Sequence, residues 1–244
     1  MNATITWATA RRVLTQLRHD PRTVALMMLV PSLLMLLLRY MFNSEQAFSQ
    51  AAPALLGVFP FLIMFLITSI TTLRERTTAT LERLMTMPLG KLDLLFGYAI
   101  AFGVLATLQV ALAAGISVAW LGLDVEGSMW LLLLIAVLDA LLGMALGLFV
   151  SAFARTEFQA IQFMPIFVLP QALLCGLFVP RDQMGSVLDW LSNFMPLSYA
   201  VEALNQVTSS AEVDGTLVRD LIIVGGCAIV ALMLGAATLR RRTP

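Results

Sequence analysis

The sequence predicts an all-α membrane protein. It reads as six transmembrane helices, an N-terminal interfacial helix, a short cytoplasmic helix and an external re-entrant helical hairpin. Three observations lead there. Hydrophobic residues fill 59% of the 244 positions and charged residues only 12%, about half the charge of a soluble domain. Several apolar runs reach the roughly 20 residues needed to cross a bilayer. Basic residues gather in alternate connections, as the positive-inside rule requires of a multi-pass chain.

Residues 1–23 carry Arg11, Arg12, Arg18 and Arg22, with Trp7, Ala10, Val13, Leu14 and Leu17 on one stripe of a helical wheel. That pattern suits a helix lying among lipid headgroups. The basic region is too long for a cleaved signal peptide, and no small-residue cleavage site follows the first apolar run. The spans are predicted at 24–42, 53–73, 94–121, 129–153, 158–179 and 221–239, within a single domain of residues 1–244. Asn43 to Gln50 reads as a polar hairpin, Gly122 to Ser128 as a tight turn, and Arg155 with Glu157 as another.

Residues 74–90 form a charged island between two uncharged runs. Leu81, Leu84 and Met85 fall at helical spacing, while Arg76, Thr80, Glu82 and Arg83 cover other faces. Thr78 suits an N-cap and Pro88 a stop. A short amphipathic helix on the membrane surface is expected, gripped by something in the water phase. The plain alternative is a solvated turn.

With six spans and a cytoplasmic N-terminus, twelve of the fifteen basic residues lie inside; only Arg39, Arg181 and Arg219 lie outside. Both termini are therefore expected in the cytoplasm of a cell whose plasma or inner membrane holds the chain. Outside, Pro180 to Asp220 is too patterned for an ordinary loop. Met184, Val187, Leu188, Leu191, Phe194 and Met195 repeat at helical spacing, and Pro196 then breaks the chain. Residues 180–208 read as a hairpin dipping into the outer leaflet, or alternatively as a small solvated cap. Pro180, Trp190, Pro196 and Tyr199 mark it.

Chemistry-bearing residues are few. His19 sits among Arg18, Asp20 and Arg22 as a surface residue, and Cys175 and Cys227 lie in apolar runs. No catalytic triad, metal site or phosphate loop is expected, and no nucleic-acid partner. Gly143 and Gly147 form a small-xxx-small pair suited to close helix contact, within the chain or with a second copy. Asp139 interrupts the fourth span. A carboxylate there costs about 2.5–3.5 kcal/mol on insertion scales. It is a proton relay, a polar lining of a substrate path, or a protonated acid bonded to a neighbouring helix. Gln109, Gln159, Gln162 and Gln171 are further polar groups in or near spans, as helix glue or as path contacts. Two matching halves are absent, unlike many secondary transporters.

Three stretches resemble a known family, the ABC-2-type permease subunits of ATP-binding-cassette exporters. They are Arg74–Leu84 with Pro88, Gly147–Arg155, and Cys175–Pro180 followed by Met195–Tyr199. The resemblance covers nearly the whole chain. It implies that residues 74–90 are the coupling helix, with Glu75, Arg76, Thr80, Leu81, Glu82, Arg83 and Leu84 facing an ATP-binding subunit. Where the family usually has Gly, this chain has Ala79, which favours helix by up to about 1 kcal/mol. The resemblance further implies two copies of a separate ATP-binding cassette subunit, which hold the ATP and Mg; this chain binds no cofactor. A second permease, identical or related, completes a path for a small amphipathic drug or lipid-like cargo. A proton-coupled transporter built on Asp139 is the alternative, and a structural or sensor subunit a third class.

Overall fold

The computed structural model describes residues 3–78 and 90–238. Every regular element among them is a helix. In chain order these are α1 (Ala3–Arg18), α2 (Pro21–Phe42), α3 (Glu45–Thr77), α4 (Lys91–Ala119), α5 (Met129–Val150), α6 (Glu157–Phe167), α7 (Leu169–Leu174), a 3-10 turn (Arg181–Gln183), α8 (Ser186–Ser192), α9 (Pro196–Ser209) and α10 (Gly215–Thr238). Five of them, α2, α3, α4, α5 and α10, are long and apolar enough to cross a membrane. Leu26, Leu29, Leu33 and Leu37 form an exposed stripe along α2. Their spacing of three and four places them on one face, as a lipid-facing surface requires.

The predicted six spans need one correction. The run 158–179 is not a single helix; α6 and α7 meet at Val168, which caps the end of one and the start of the other. Pro170 has no N–H to bond the carbonyl of Ile166, and its ring disfavours a helical residue before it. Composition counts apolar residues and misses this break. The polar hairpin expected at Asn43–Gln50 is also much shorter. Asn43 alone turns the chain, with φ 48°, and Ser44 accepts the N–H of Ala47 to start α3 at Glu45. Helix α3 thus gains two turns ahead of the span expected at 53–73. The span expected at 221–239 begins earlier too, at Gly215, where Asp214 accepts the N–H groups of Thr216 and Leu217.

The core is built on α3 and α5, which run parallel and in register. A Cβ added at Gly143 would strike the carbonyl oxygen of Phe61, and one at Gly147 that of Phe65. One turn up, the relation reverses: Gly57 is the small residue and faces Asp139, and its missing Cβ leaves room for Leu204 and Val201. Gly57 with Asp139, Phe61 with Gly143 and Phe65 with Gly147 form a ladder with a four-residue repeat. It suits ridges of i±4 residues interlocking at close approach. The small-xxx-small pair therefore serves contact within the chain. Helix α9 covers the Gly57 level with Val201 and Leu204, and α10 packs along α5, where Gly235 accommodates Leu148. Helix α1 packs on the start of α4. Gly97 permits this, since a Cβ there would sit 2.6 Å from the Thr9 side chain. Ala10, Val13 and Leu17 are buried as the apolar stripe anticipates, but Trp7 points away.

Candidate functional site

Three consecutive residues at the end of α3 each hold a different helix. Arg74 Nε donates to Glu157 Oε1 at 2.9 Å, tying α3 to the start of α6. Glu75 pairs with Arg12 of α1 at 3.2 Å. Arg76 donates to Thr238 at the end of α10, at 3.4 Å. Three successive positions on a helix point about 100° apart, so one turn can reach three neighbours. Arg12 also donates to Tyr98 Oη of α4 at 3.2 Å, which brings the helix following the charged island into the same knot. Thr6 to Asp93, at 3.5 Å, is a second tie between α1 and α4. Around the exposed pair, the Arg74 guanidinium holds the Glu157 carboxyl below its ordinary range.

Of the residues expected to face an ATP-binding subunit, Glu75 is turned inward and buried against Arg12, and Arg76 is half-buried. Thr80, Leu81, Glu82, Arg83 and Leu84 lie outside the described residues. The knot thus flanks residues 79–89 on both sides, with α3 entering and α4 leaving.

In the middle of the bundle, Asp139 has no exposed surface, and neither carboxylate oxygen has a hydrogen-bond partner among the described residues. It lies between α3 at Gly57 and α9 at Val201 and Leu204, inside protein rather than against lipid. Gln109 of α4 is equally buried, and its amide is likewise unpartnered there. Gln171 is used structurally: it donates to the Phe167 carbonyl and accepts the N–H of Leu197, joining α7 to the start of α9. Gln159 accepts the N–H of Arg155 in the turn before α6. Gln162 is exposed on the outer face of α6 and does not join the buried polar groups.

At the opposite end from the knot, α8 and α9 fold back over the bundle. Helix α9 is buried along Leu197, Val201 and Leu204, while α8 presents Val187, Leu188 and Trp190 outward, followed by Phe194. Pro196 opens α9, and Pro180 precedes the 3-10 turn. Arg181 fixes this region. It donates to Ser192, Asn193 and Glu202, and its guanidinium lies 5.4 Å from the Tyr199 ring. Tyr199 in turn donates to the Asn193 carbonyl at 2.9 Å. Arg219 approaches the same ring at 6.0 Å and pairs with Asp220 at 2.8 Å. Two adjoining cavities open here, of about 630 and 720 Å³. Gln50 and Asn205 line both, and Glu45, Asp124 and Glu126 make the first acidic.

Sequence reasoning missed Arg12, Tyr98, Arg181, Glu202 and Arg219 as organising residues. For Glu202 a signal existed: it is the only charge between Trp190 and Ala211. Arg12 could not be found this way, because its partners lie 63 and 86 positions away.

The family profile described as ABC-2 type transporter matches residues 4–208. This chain belongs to that family. Similar curated proteins agree. The permease is 27% identical over 207 residues to "Probable multidrug ABC transporter permease YbhS" of Escherichia coli, covering 84% of this chain and 55% of that one. It is 25% identical over 160 residues to "Linearmycin resistance permease protein LnrN" of Bacillus subtilis, covering 66% and 40%. It is 26% identical over 156 residues to "ABC transporter G family member 20" of Dictyostelium discoideum, covering 64% and 21%. The permease thus spans between about a fifth and about half the length of these relatives.

Proposed function

We propose that this permease is the membrane subunit of an ATP-driven exporter, worked by a separate ATP-binding subunit that docks beneath residues 74–90. The observation that carries this reading is the knot at the end of α3. A push on residues 79–89 meets four helices at once through Arg74, Glu75, Arg76, Arg12 and Tyr98. In this reading Glu82, Arg83, Thr80, Leu81 and Leu84 make the docking contact, and Glu75 passes the movement on through Arg12. The distribution of basic residues supports a cytoplasmic position for both termini and the island. Two permeases and two ATP-binding subunits, which hold the ATP and Mg, form the working unit. The relatives named for multidrug transport and linearmycin resistance, with the modest mass beyond the membrane, favour a small amphipathic cargo.

The test is docking and efflux together. Glu82→Lys is expected to leave the permease inserted and folded yet weaken co-purification with its ATP-binding subunit at least tenfold. Loss of one buried, hydrogen-bonded interfacial charge pair costs on the order of 2–5 kcal/mol. Leu81→Asp should do the same. Normal docking and efflux in both variants would reduce the island to an ordinary turn.

One observation favours a second reading, a proton-coupled carrier: Asp139 is buried without a partner among the described residues. Transport in inside-out vesicles separates the two. Under the first reading uptake follows added ATP and survives collapse of the proton gradient.

A further inference from the structure

The outer surface of the bundle carries a groove between α5 and α10. Its volume is about 500 Å³, and it is lined by apolar side chains and glycine, among them Leu146 and Phe149 on one wall and Ile223, Gly226, Val230 and Leu234 on the other. Ile223 also lines the 720 Å³ polar cavity under α8 and α9, together with Arg219, Arg181 and Tyr199. The two spaces therefore meet at Ile223. Arg219, Ile223, Gly226, Val230 and Leu234 follow one another at steps of three and four, so one face of α10 runs from a charged end to an apolar one. From Ile223 to Leu234 that face is about 17 Å long at 1.5 Å per residue. One leaflet of a bilayer core is about 15 Å thick. The groove thus has the length of one acyl chain in one leaflet, with a polar chamber at headgroup depth.

The charges of that chamber restrict the headgroup. Arg181 and Arg219 converge on the Tyr199 ring, and Arg219 is half-exposed. Facing them in the same cavity are Glu202, Asp182 and Asp189. Asp182 and Asp189 make no ion pair among the described residues. Glu202 already pairs with both arginines and Asp220 with Arg219, so a purely anionic headgroup would meet four carboxylates against two guanidiniums. A phosphate beside an ammonium matches both signs, and a primary ammonium has three donors for carboxylates.

We propose that the α5–α10 groove and the chamber above it form a selective site for a zwitterionic phospholipid bearing a primary amine, with an acyl chain along Gly226 and Val230 and the phosphate at Arg219. This rests on the chain spanning a membrane and not on the ATP-driven cycle, so it stands or falls separately from that reading.

The test uses the full chain in nanodiscs containing a phosphatidylethanolamine with a diazirine on one acyl chain. After irradiation, adducts are expected on peptides containing Phe149, Val230 and Leu234. Gly226→Phe should lower the adduct yield roughly fivefold or more, because the ring fills the groove. A Cβ at Gly226 meets open space beyond its own helix, so the new side chain starts into the groove rather than into a packed neighbour. Unlabelled phosphatidylethanolamine should compete roughly fivefold better than phosphatidylglycerol or phosphatidylcholine, which lack the primary amine. Adducts lying elsewhere, an unchanged yield in Gly226→Phe, or equal competition by the three lipids would each overturn the proposal. The adduct map and the competition use the unaltered protein, so they decide even where the variant fails to assemble.

Discussion

The α3–α5 seam and the knot at the end of α3 share a helix but solve opposite problems. The seam is made of glycine against phenylalanine backbone, at Gly143 with Phe61 and Gly147 with Phe65. It has no long side chains to rearrange, and its fit fixes one register. The knot is made of arginines reaching carboxylates and hydroxyls, at Arg74, Arg12 and Arg76. Each of those contacts can break and re-form without moving a backbone. The same helix is thus rigid where it passes through the bundle and adjustable where it leaves.

The largest effect should come from the rigid region. Gly143→Leu forces a side chain into the Phe61 carbonyl and should destabilise by about 3 kcal/mol or more, the upper end for overpacked sites. Loss of a monodisperse peak in detergent, or a fall of roughly 10 °C in Tm, would show it. A variant that folds normally would mean that the two helices separate easily.

The next effect tests the adjustable region. Arg12→Ala leaves Glu75 buried without its guanidinium, at a cost of about 1–3 kcal/mol. Thermal unfolding should therefore shift by roughly 2–10 °C, while efflux of an amphipathic dye falls by more than that loss of stability explains. The double variant Arg12→Glu with Glu75→Arg should restore part of the efflux, which a packing defect would not allow. If stability and efflux fall in proportion, the knot is structural only.

Asp139→Asn sharpens the comparison inside the seam. It keeps the shape beside Gly57, so stability should change by less than about 1.5 kcal/mol. ATP-dependent uptake in vesicles should persist at all pH values tested. Loss of uptake with an intact fold would move the mechanism to the proton-coupled reading.

The smallest effect lies at the far end of the bundle. Asp214 caps α10 and accepts from Thr216 and Leu217, which hold its carboxyl below the ordinary range. A lowered folded value means the cap stabilises at neutral pH and is lost as pH falls from about 4 through that value. Asp214→Ala should therefore lower Tm slightly at pH 7 and flatten the acid side of the Tm–pH curve. Equal slopes in both proteins would remove the cap from the stability account.

Much of the fold was legible because a membrane span writes itself as a long uncharged run. Helices α2, α3, α4, α5 and α10 all show it. The break at Val168 was legible only in Pro170, which a count of apolar residues ignores. Ser44 and Glu45 carried an N-cap and a favourable first-turn acid, yet a polar cluster between apolar runs also reads as a loop. The candidate site was half legible. Asp139 stood out because charge is scarce in a span, and its burial follows from that cost. The knot did not stand out, because its strength comes from pairs such as Arg76 with Thr238, 162 positions apart. Nothing in local spacing announces such a pair.

The length of α3 has a mechanical consequence. Its 33 residues make a rod of about 50 Å, against a bilayer core of about 30 Å. The knot holds one tip, and Glu45, Gln46, Ser49 and Gln50 at the other form a wall of the vestibule. Under the proposed ATP-driven reading, such a rod would work as a lever with its handle at Arg74–Arg76. A tilt of about 6° about the handle carries the far tip through about 5 Å over that length, enough to change the mouth of the cavity by the width of a methylene chain.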